Sequence, residues 1–366
     1  MIATLALLIW LYLFFLHGKF WESTPELPPA TPPEFPDVDI VIPARDEAGT
    51  IAPVIASLLA QDYAGNFRVI LVDDNSTDGT AQLAGTHLKL TIVTGKPKAP
   101  GWSGKLWALQ QGVEASTAPI LLFADADITH DSRHLSSLVT RLLTPRADMV
   151  SEMVRLNCTS LPERFLIPAF VYFFQMLYPF ALVNNPLKST AAAAGGTVLI
   201  RREALDRLGG LEKIKSALID DVSLATEAKK FGPIFLGHSG LATSIRPYPQ
   251  VADIWNMITR TAFTQLNYSA LILAGTVLGL TLVWLVAPLE VIHGHGWHFL
   301  AGLAASVLAI VSYFPTLKRY NQPKLFALAL PFIAVFYMAA TITSAVNYWR
   351  GTGAKWKSRA YGGPGA

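Results

Sequence analysis

The chain has 366 residues, enough for one large domain with an accessory part or for two domains, so core burial does not limit it. Charged residues make up 15% against a soluble norm of about 25%, and 52% are hydrophobic, a balance that points to a membrane. The net charge of +3, without any long basic run, argues against a nucleic-acid partner, and the single cysteine, Cys158, excludes an intrachain disulfide and a cysteine-built zinc site.

In chain order, residues 2–16 are apolar and uncharged, with Trp21 as an interfacial anchor. No basic leader or small-residue cleavage pattern is evident, so 1–21 is expected to be an uncleaved transmembrane anchor. The Pro-rich stretch ESTPELPPATPPEFP (22–36) cannot continue a helix and is expected to be an extended linker. From 37 to 265, short aliphatic runs alternate with helical ones. VDIVIP (38–43), FRVILVD (67–73), LKLTIV (88–93) and PILLFAD (119–125) read as parallel strands buried on both faces. Ile51, Val54, Ile55, Leu58 and Leu59 mark one helical face, and 105–114 can form another helix. The stretch FLIPAFVYFFQMLYPFAL (165–182), interrupted by Pro168, Gln175 and Pro179, is expected to be an interfacial or re-entrant helix inside this domain.

Within 266–350 the runs 270–289, 299–317 and 325–348 are each long enough to span a bilayer. The fold class expected is therefore α/β: a Rossmann-like, mostly parallel sheet flanked by N-terminal and C-terminal transmembrane helices. The loop KRYNQPK carries Lys318, Arg319 and Lys324, whereas 290–298 has no Lys or Arg. This puts that loop and the large domain on the cytoplasmic side, in an integral protein of a bacterial inner membrane. A basic tail, 351–366, conflicts with it: Arg350, Lys355, Lys357 and Arg359 fall on the opposite side if three spans follow the domain.

In a parallel sheet, ligands gather at the carboxyl ends of the strands. PARDEAGT (43–50) follows the first strand, DDNSTDGT (73–80) the second, GWSGKLWAL (101–109) the third and Asp125-Ala-Asp127 the fourth. Singly, each has an ordinary reading as a turn or helix cap; together they converge on one crevice. Asp125 and Asp127, one small residue apart at the end of a buried strand, suit a hard divalent cation, Mg2+ or Mn2+, that bridges a diphosphate. Asp73 or Asp74 can accept from a base or ribose, and Lys105 can meet a phosphate as a point charge.

IPARDEAGTI, VDDNSTDGT, GKLWALQQG, DAD, AGGTVLIRR and IDDVSLA, in that order, resemble the GT-A family 2 glycosyltransferases over about 36–265. With RTAFTQLNYSALILAG and the apolar runs, the set is most similar to the hopanoid-associated glycosyltransferases of bacteria and, more distantly, to ceramide glucosyltransferases. The resemblance implies a GT-A domain and an inverting single displacement, in which an acceptor hydroxyl attacks the anomeric carbon of a nucleotide sugar. By motif it implies Asp221 as general base with Asp220 beside it, where the family usually has Glu. Pro43, Arg45, Glu47, Asp73, Asp74, Lys105 and Asp125 then serve the nucleotide sugar, and Gly195, Gly196 and Thr197 form an acceptor and donor-sugar loop. A carboxylate in a partly dry crevice beside a like charge has its pKa raised, as a base needs; the same DDVSLATEAKK also reads as a helix start whose dipole favours acids.

Polymer-extending members carry Gln-x-x-Arg-Trp after the base, whereas here Met257, Arg260 and Thr261 stand in those positions. Arg260 remains a candidate for holding the diphosphate, with a snorkelling arginine at a membrane surface as its alternative. His293, His295 and His298 read as a polar interhelical loop, not a ligand set. The expected activity is transfer of one sugar from a nucleotide sugar, a UDP-sugar, to a membrane lipid hydroxyl, hopanoid-related. The alternatives are a polyprenyl-phosphate glycosyltransferase or polysaccharide synthase, and a non-catalytic membrane scaffold that binds nucleotide sugar.

Overall fold

A computed structural model describes residues 1–352 and the strand pair Lys355–Trp356 with Arg359–Ala360; of the expected basic tail, 353–354, 357–358 and 361–366 lie outside the described residues. The chain divides into two units. An α/β unit holds Thr24–Asn157 and Leu182–Arg246, and a helical unit holds Met1–Ser23, Cys158–Ala181 and Pro247–Ala366.

The α/β unit is built on one mixed sheet. Its strands are β1 (Glu26–Leu27), β2 (Val38–Ala44), β3 (Phe67–Asp73), β4 (Leu90–Thr94), β5 (Ile120–Ala124), β6 (Ile128–His130), β7 (Met149–Arg155), β8 (Thr197–Arg201) and β9 (Ile234–Ser244). The order is β1-β9-β7-β8-β5-β2-β3-β4, with β6 antiparallel on β9. The four strands expected from the aliphatic runs form the parallel part, β5-β2-β3-β4. β8 is antiparallel to both β5 and β7, so its amino end reaches the edge where β5 ends.

Cover on both faces explains why β2, β3 and β5 are mostly apolar, with Asp39 of β2 and Arg68 of β3 paired to each other near the strand starts. Ile40, Ile42, Val69, Leu71, Ile120 and Leu122 pack into one cluster with Ile51, Val54, Ile55 and Leu58 of the helix Ile51–Leu59. The opposite face is covered by the helix Gly104–Ala115, where Gly112 permits a close approach: a Cβ there would stand 2.2 Å from Val41 Cγ1 and 3.2 Å from Val72 Cγ2. The strand ends are thereby fixed from both sides.

Two expected boundaries are corrected. The segment 22–36 is not a free spacer, because Glu26–Leu27 pairs with His238–Ser239 of β9 and Leu27 is buried in the main core. A two-residue edge strand is what a proline-rich sequence can offer a sheet, since proline cannot donate to a ladder. The domain expected at 37–265 is likewise interrupted, since 158–181 and 247–265 belong to the helical unit. The helix Leu161–Leu177 buries its aromatic face there: Tyr172 OH bonds Ser312 Oγ at 2.6 Å, and Gln175 Nε2 donates to the carbonyls of Phe20 and Glu22 at 3.0 Å. A full capping box starts this helix, with Ser160 and Glu163 each accepting from the other's backbone N–H.

Three helices among the described residues are long and apolar enough to cross a membrane: Ala270–His293, Trp297–Arg319 and Lys324–Trp349. The first contains a π turn at Leu282–Val286, and Trp10 Nε1 donates to Val283 O at 2.8 Å. A π turn disturbs the regular backbone ladder, and the indole supplies a donor there. The amino-terminal helix, Ile2–Phe15, has 14 residues. At 1.5 Å per residue it extends about 21 Å, short of a hydrocarbon core of about 30 Å.

Candidate active site

The crevice forms where β5 ends and β8 begins. Ala124 lies opposite Thr197, and Asp125 N donates to Gly196 O at 3.3 Å, so the acid after β5 faces the glycine pair before β8. Asp220 and Asp221 open the helix Asp220–Lys229, where the dipole favours acids. Lys105 lies in the first turn of Gly104–Ala115, whose cap, Ser103, accepts from Leu106 N at 3.4 Å. Lys105 Nζ stands 2.9 Å from Asp125 Oδ1 and 3.1 Å from Asp220 Oδ2. A Cβ on Gly195 would lie 3.2 Å from Asp221 Oδ2 and 3.4 Å from Lys105 Nζ, so a glycine is what the packing of acid and amine accepts. One cavity is lined by Pro43, Lys105, Asp125, Gly195, Asp220 and Asp221.

Three carboxylates thus share one ammonium. Burial pushes the Asp221 carboxyl up to about 7, and the charge of Asp220 adds to the rise while Lys105 opposes it. Burial raises Asp125 too; Lys105 pulls the other way, and Asp127 and Asp220 push it up further. Burial disfavours the Lys105 ammonium, but Asp125, Asp220 and Asp221 outweigh that and hold it charged. The result is a proton acceptor poised near neutrality beside a fixed cation.

A second cation, Arg246, was not picked out from the sequence. Its Nε lies 2.5 Å from Asp127 Oδ2, and its Nη2 donates to both carboxylate oxygens of Glu47, at 2.7 and 2.9 Å. Arg246 follows β9 in SIRPYPQ, outside any recognisable motif. The available signal was electrostatic: Glu47 and Asp127, both largely buried at strand ends, need a counter-ion.

The donor-side loops interlock. Asp46 N donates to Ser76 Oγ, Thr77 N to Asp46 Oδ1, and Ala48 N to Asp78 Oδ2, tying the loop after β2 to the loop after β3. Arg45 Nη1 donates to Asp74 O at 2.5 Å and stands 3.6 Å from Asp74 Oδ2. One donor contact expected from the sequence is corrected here: Asp74 is fully buried under Arg45. Asp73 is partly buried, and its Oδ1 accepts from Ser76 N in its own turn. Thr197 is corrected as well: it is 0% exposed, and its hydroxyl finds no hydrogen-bond partner among the described residues, so it does not face an acceptor. Arg260 caps the helix Val251–Thr259 in the helical unit.

Asp125 and Asp127 do not form a joint grip; each is held by a different cation, Lys105 and Arg246. Among the described residues no cluster of three or more His, Cys, Asp or Glu side chains has metal-holding geometry. The donor chemistry nonetheless fits a hard divalent ion. Such an ion takes oxygen ligands, commonly one or two carboxylates with substrate phosphates and water supplying the rest, and this corner carries excess negative charge.

The family model for glycosyl transferase family 2 matches residues 39–209, the span that carries Lys105, Asp125, Asp127, Gly195 and Gly196. That match covers a little under half of the chain and shows a likeness to family 2 over this segment. The match ends before Asp220 and Asp221, which line the same cavity as Lys105, Asp125 and Gly195, and before Arg246, which pairs with Asp127. An uncharacterised glycosyltransferase of Mycobacterium tuberculosis is 35% identical over 114 residues, 31% of this chain and 47% of that protein. A 4,4'-diaponeurosporenoate glycosyltransferase of Staphylococcus haemolyticus is 32% identical over 98 residues, 26% of each chain. These matches therefore span half or less of the curated relatives' lengths. A mannosyltransferase from Pyrobaculum calidifontis, solved with GDP-mannose and Mn2+, superposes with a TM-score of 0.54 at 20% identity, covering 94% of this chain and 98% of that one. That likeness gives the fold, a mixed α/β GT-A arrangement.

Proposed function

We propose that this chain is an inverting glycosyltransferase that moves a single sugar from a nucleotide sugar, a UDP-sugar, to the hydroxyl of a membrane lipid. The observation that carries the reading is the grouping of Asp221, Asp220, Asp125 and Lys105 around one cavity, with Asp221 raised to about 7. In the step proposed, the acceptor oxygen attacks the anomeric carbon as Asp221 takes the hydroxyl proton. The bond from that carbon to the nucleoside diphosphate breaks, and the leaving group departs with the electron pair. Lys105, kept charged by its acids, is placed to balance the departing phosphate. A divalent cation, Mg2+ or Mn2+, would be held by Asp125 or Asp127 together with the phosphates of the donor, once that carboxylate turns from its present cation partner, and would supply further charge neutralisation at the diphosphate.

The lipid acceptor is supported by the long apolar helices, and a hopanoid-related alcohol by the sequence resemblance. The same helices support an integral membrane protein, with the α/β unit read as cytoplasmic. Detergent-purified protein incubated with radiolabelled UDP-sugars and a bacterial lipid extract tests this: label should move into the organic phase. Label found in a water-soluble product alone would overturn the lipid acceptor.

A further inference from the structure

The helix Asp220–Lys229 opens with the two crevice acids and closes with a lysine, and both of its ends meet the same stretch of chain, 182–196. At the closing end, Lys229 Nζ donates to Val183 O and Thr190 O, each at 2.6 Å, and to Leu182 O at 3.2 Å. An ammonium has three N–H donors, so its bonding is complete, and a neutral amine could not make all three contacts. Leu182 and Val183 end the one-turn helix Phe180–Val183, where carbonyls have no partner within the helix. At the opening end, Gly195 lies against the acid: a Cβ there would stand 3.2 Å from Asp221 Oδ2.

The same stretch is tied to the sheet at two points. Asn184 Nδ2 donates to Leu236 O at 2.9 Å and its Oδ1 accepts from Leu236 N at 2.7 Å, so one side-chain amide stands in for a ladder partner of β9. Ser151 Oγ in β7 accepts from Ala194 N at 2.9 Å and donates to Ala194 O at 3.1 Å, beside the glycine pair. Between these ties Pro186, Leu187, Lys188 and Ser189 are exposed, and the Lys229 ammonium joins the roots of that loop, Val183 and Thr190. The alanines at 191–194 offer only methyl groups, so their register leans on the polar ties at Thr190 and Ala194.

We infer that Lys229 is a positioning residue for sugar transfer, holding the stretch 182–196 on the helix that carries the base and so fixing Gly195 against Asp221. The inference rests on the reading of Asp221 as base proposed above. Lys229 touches neither the cavity acids nor Lys105; its effect passes through the chain from Thr190 to Gly195. A shift of about 1 Å in a group that aligns reactants can cost about 100-fold in rate, so a tie nine residues along the helix from the acids has kinetic weight.

The test uses the full chain purified in detergent as Lys229→Met, Lys229→Gln and Lys229→Arg. Lys230→Met is the control, since Lys230 is exposed and pairs with Glu227 at 2.7 Å on the same helix. Trypsin digestion of the folded protein reports the stretch without reference to activity: cutting after the exposed Lys188 should quicken at least about threefold in Lys229→Met and stay unchanged in Lys230→Met. With radiolabelled UDP-sugar and a bacterial lipid extract, kcat of Lys229→Met should fall about 10- to 100-fold while donor KM stays within about threefold. Lys229→Arg should recover the most and Lys229→Gln less, in the order of charge and donors retained. If Lys229→Met does not fold, Lys229→Gln carries the same comparison. A wild-type kcat, a fallen kcat with cutting unchanged, or a kcat that falls only as folded protein is lost by circular dichroism would each overturn the positioning role. Faster cutting in Lys229→Met, from a wild type that transfers no sugar, would overturn the sugar-transfer reading while leaving the tie itself standing.

Discussion

Arg246 joins Glu47, from the loop after β2, to Asp127, from the loop after β5. Its planar fork suits two carboxylates at once, which a lysine ammonium cannot reproduce. Arg246→Gln leaves two largely buried carboxylates facing each other, a loss of order 1–3 kcal/mol per unsatisfied group, so kcat/KM for the nucleotide sugar should fall about tenfold or more. Arg246→Lys should recover only part of it in steady-state kinetics; full activity in Arg246→Gln would assign the arginine a purely peripheral place. A second buried group lies outside the crevice. His130 Nδ1 is 2.8 Å from His134 Nδ1, and His134 Nε2 is 2.5 Å from Glu152 Oε2. Burial and the neighbouring His134 hold His130 well below its ordinary value of 6.5, so it is neutral when folded. The unfolded chain takes up that proton below about pH 6.5, so stability present above it is lost as pH falls, by up to about 1.4 kcal/mol per pH unit. Thermal unfolding followed from pH 8 to 5 should show a falling midpoint, with a shallower slope for His130→Asn.

At the scale of elements, what periodicity encodes was legible and what partner choice decides was not. The runs at 38–43, 67–73 and 119–125 became β2, β3 and β5 because strands covered on both faces read as near-continuous apolar runs, broken here only by Asp39, Arg68 and the acids at the strand ends. β1 was hidden because two residues in a proline-rich stretch carry no period; it exists only because β9 offers an open edge. The helix Leu161–Leu177 was legible as an unusual apolar element, but its assignment to the helical unit depends on partners such as Ser312, more than a hundred residues away. In the crevice, the acids at 125, 220 and 221 were readable from motifs, whereas burial of Asp74 and Thr197 depends on neighbours that no spacing rule reports. Gly112 gives a test of the close helix packing. Gly112→Ala places a methyl 2.2 Å from Val41 Cγ1, which should cost about 1–3 kcal/mol, read as a lowered unfolding midpoint. A midpoint unchanged or raised would show that the helix can move off the sheet freely.

For the whole molecule, composition and site point the same way. The segment 39–209 that matches the family 2 model supplies β3 to β8 and nearly all of β2, while β1 and β9 of the same sheet lie outside it. Three helices among the described residues are long and apolar enough to cross a membrane, which is what the proposed lipid acceptor calls for. Whether the crevice transfers sugar, and does so through the acid at the start of Asp220–Lys229, is decided most directly by Asp221→Asn. Removing a general base costs about 100- to 10,000-fold in rate, while Lys105, Asp125 and Asp220 remain to bind the donor. Donor affinity by calorimetry and sugar transfer by radiolabel should be measured on the same purified variant. The expected result is donor binding kept within about threefold and transfer lost by at least about 100-fold; transfer at the wild-type rate would contradict the assignment of Asp221 as the base.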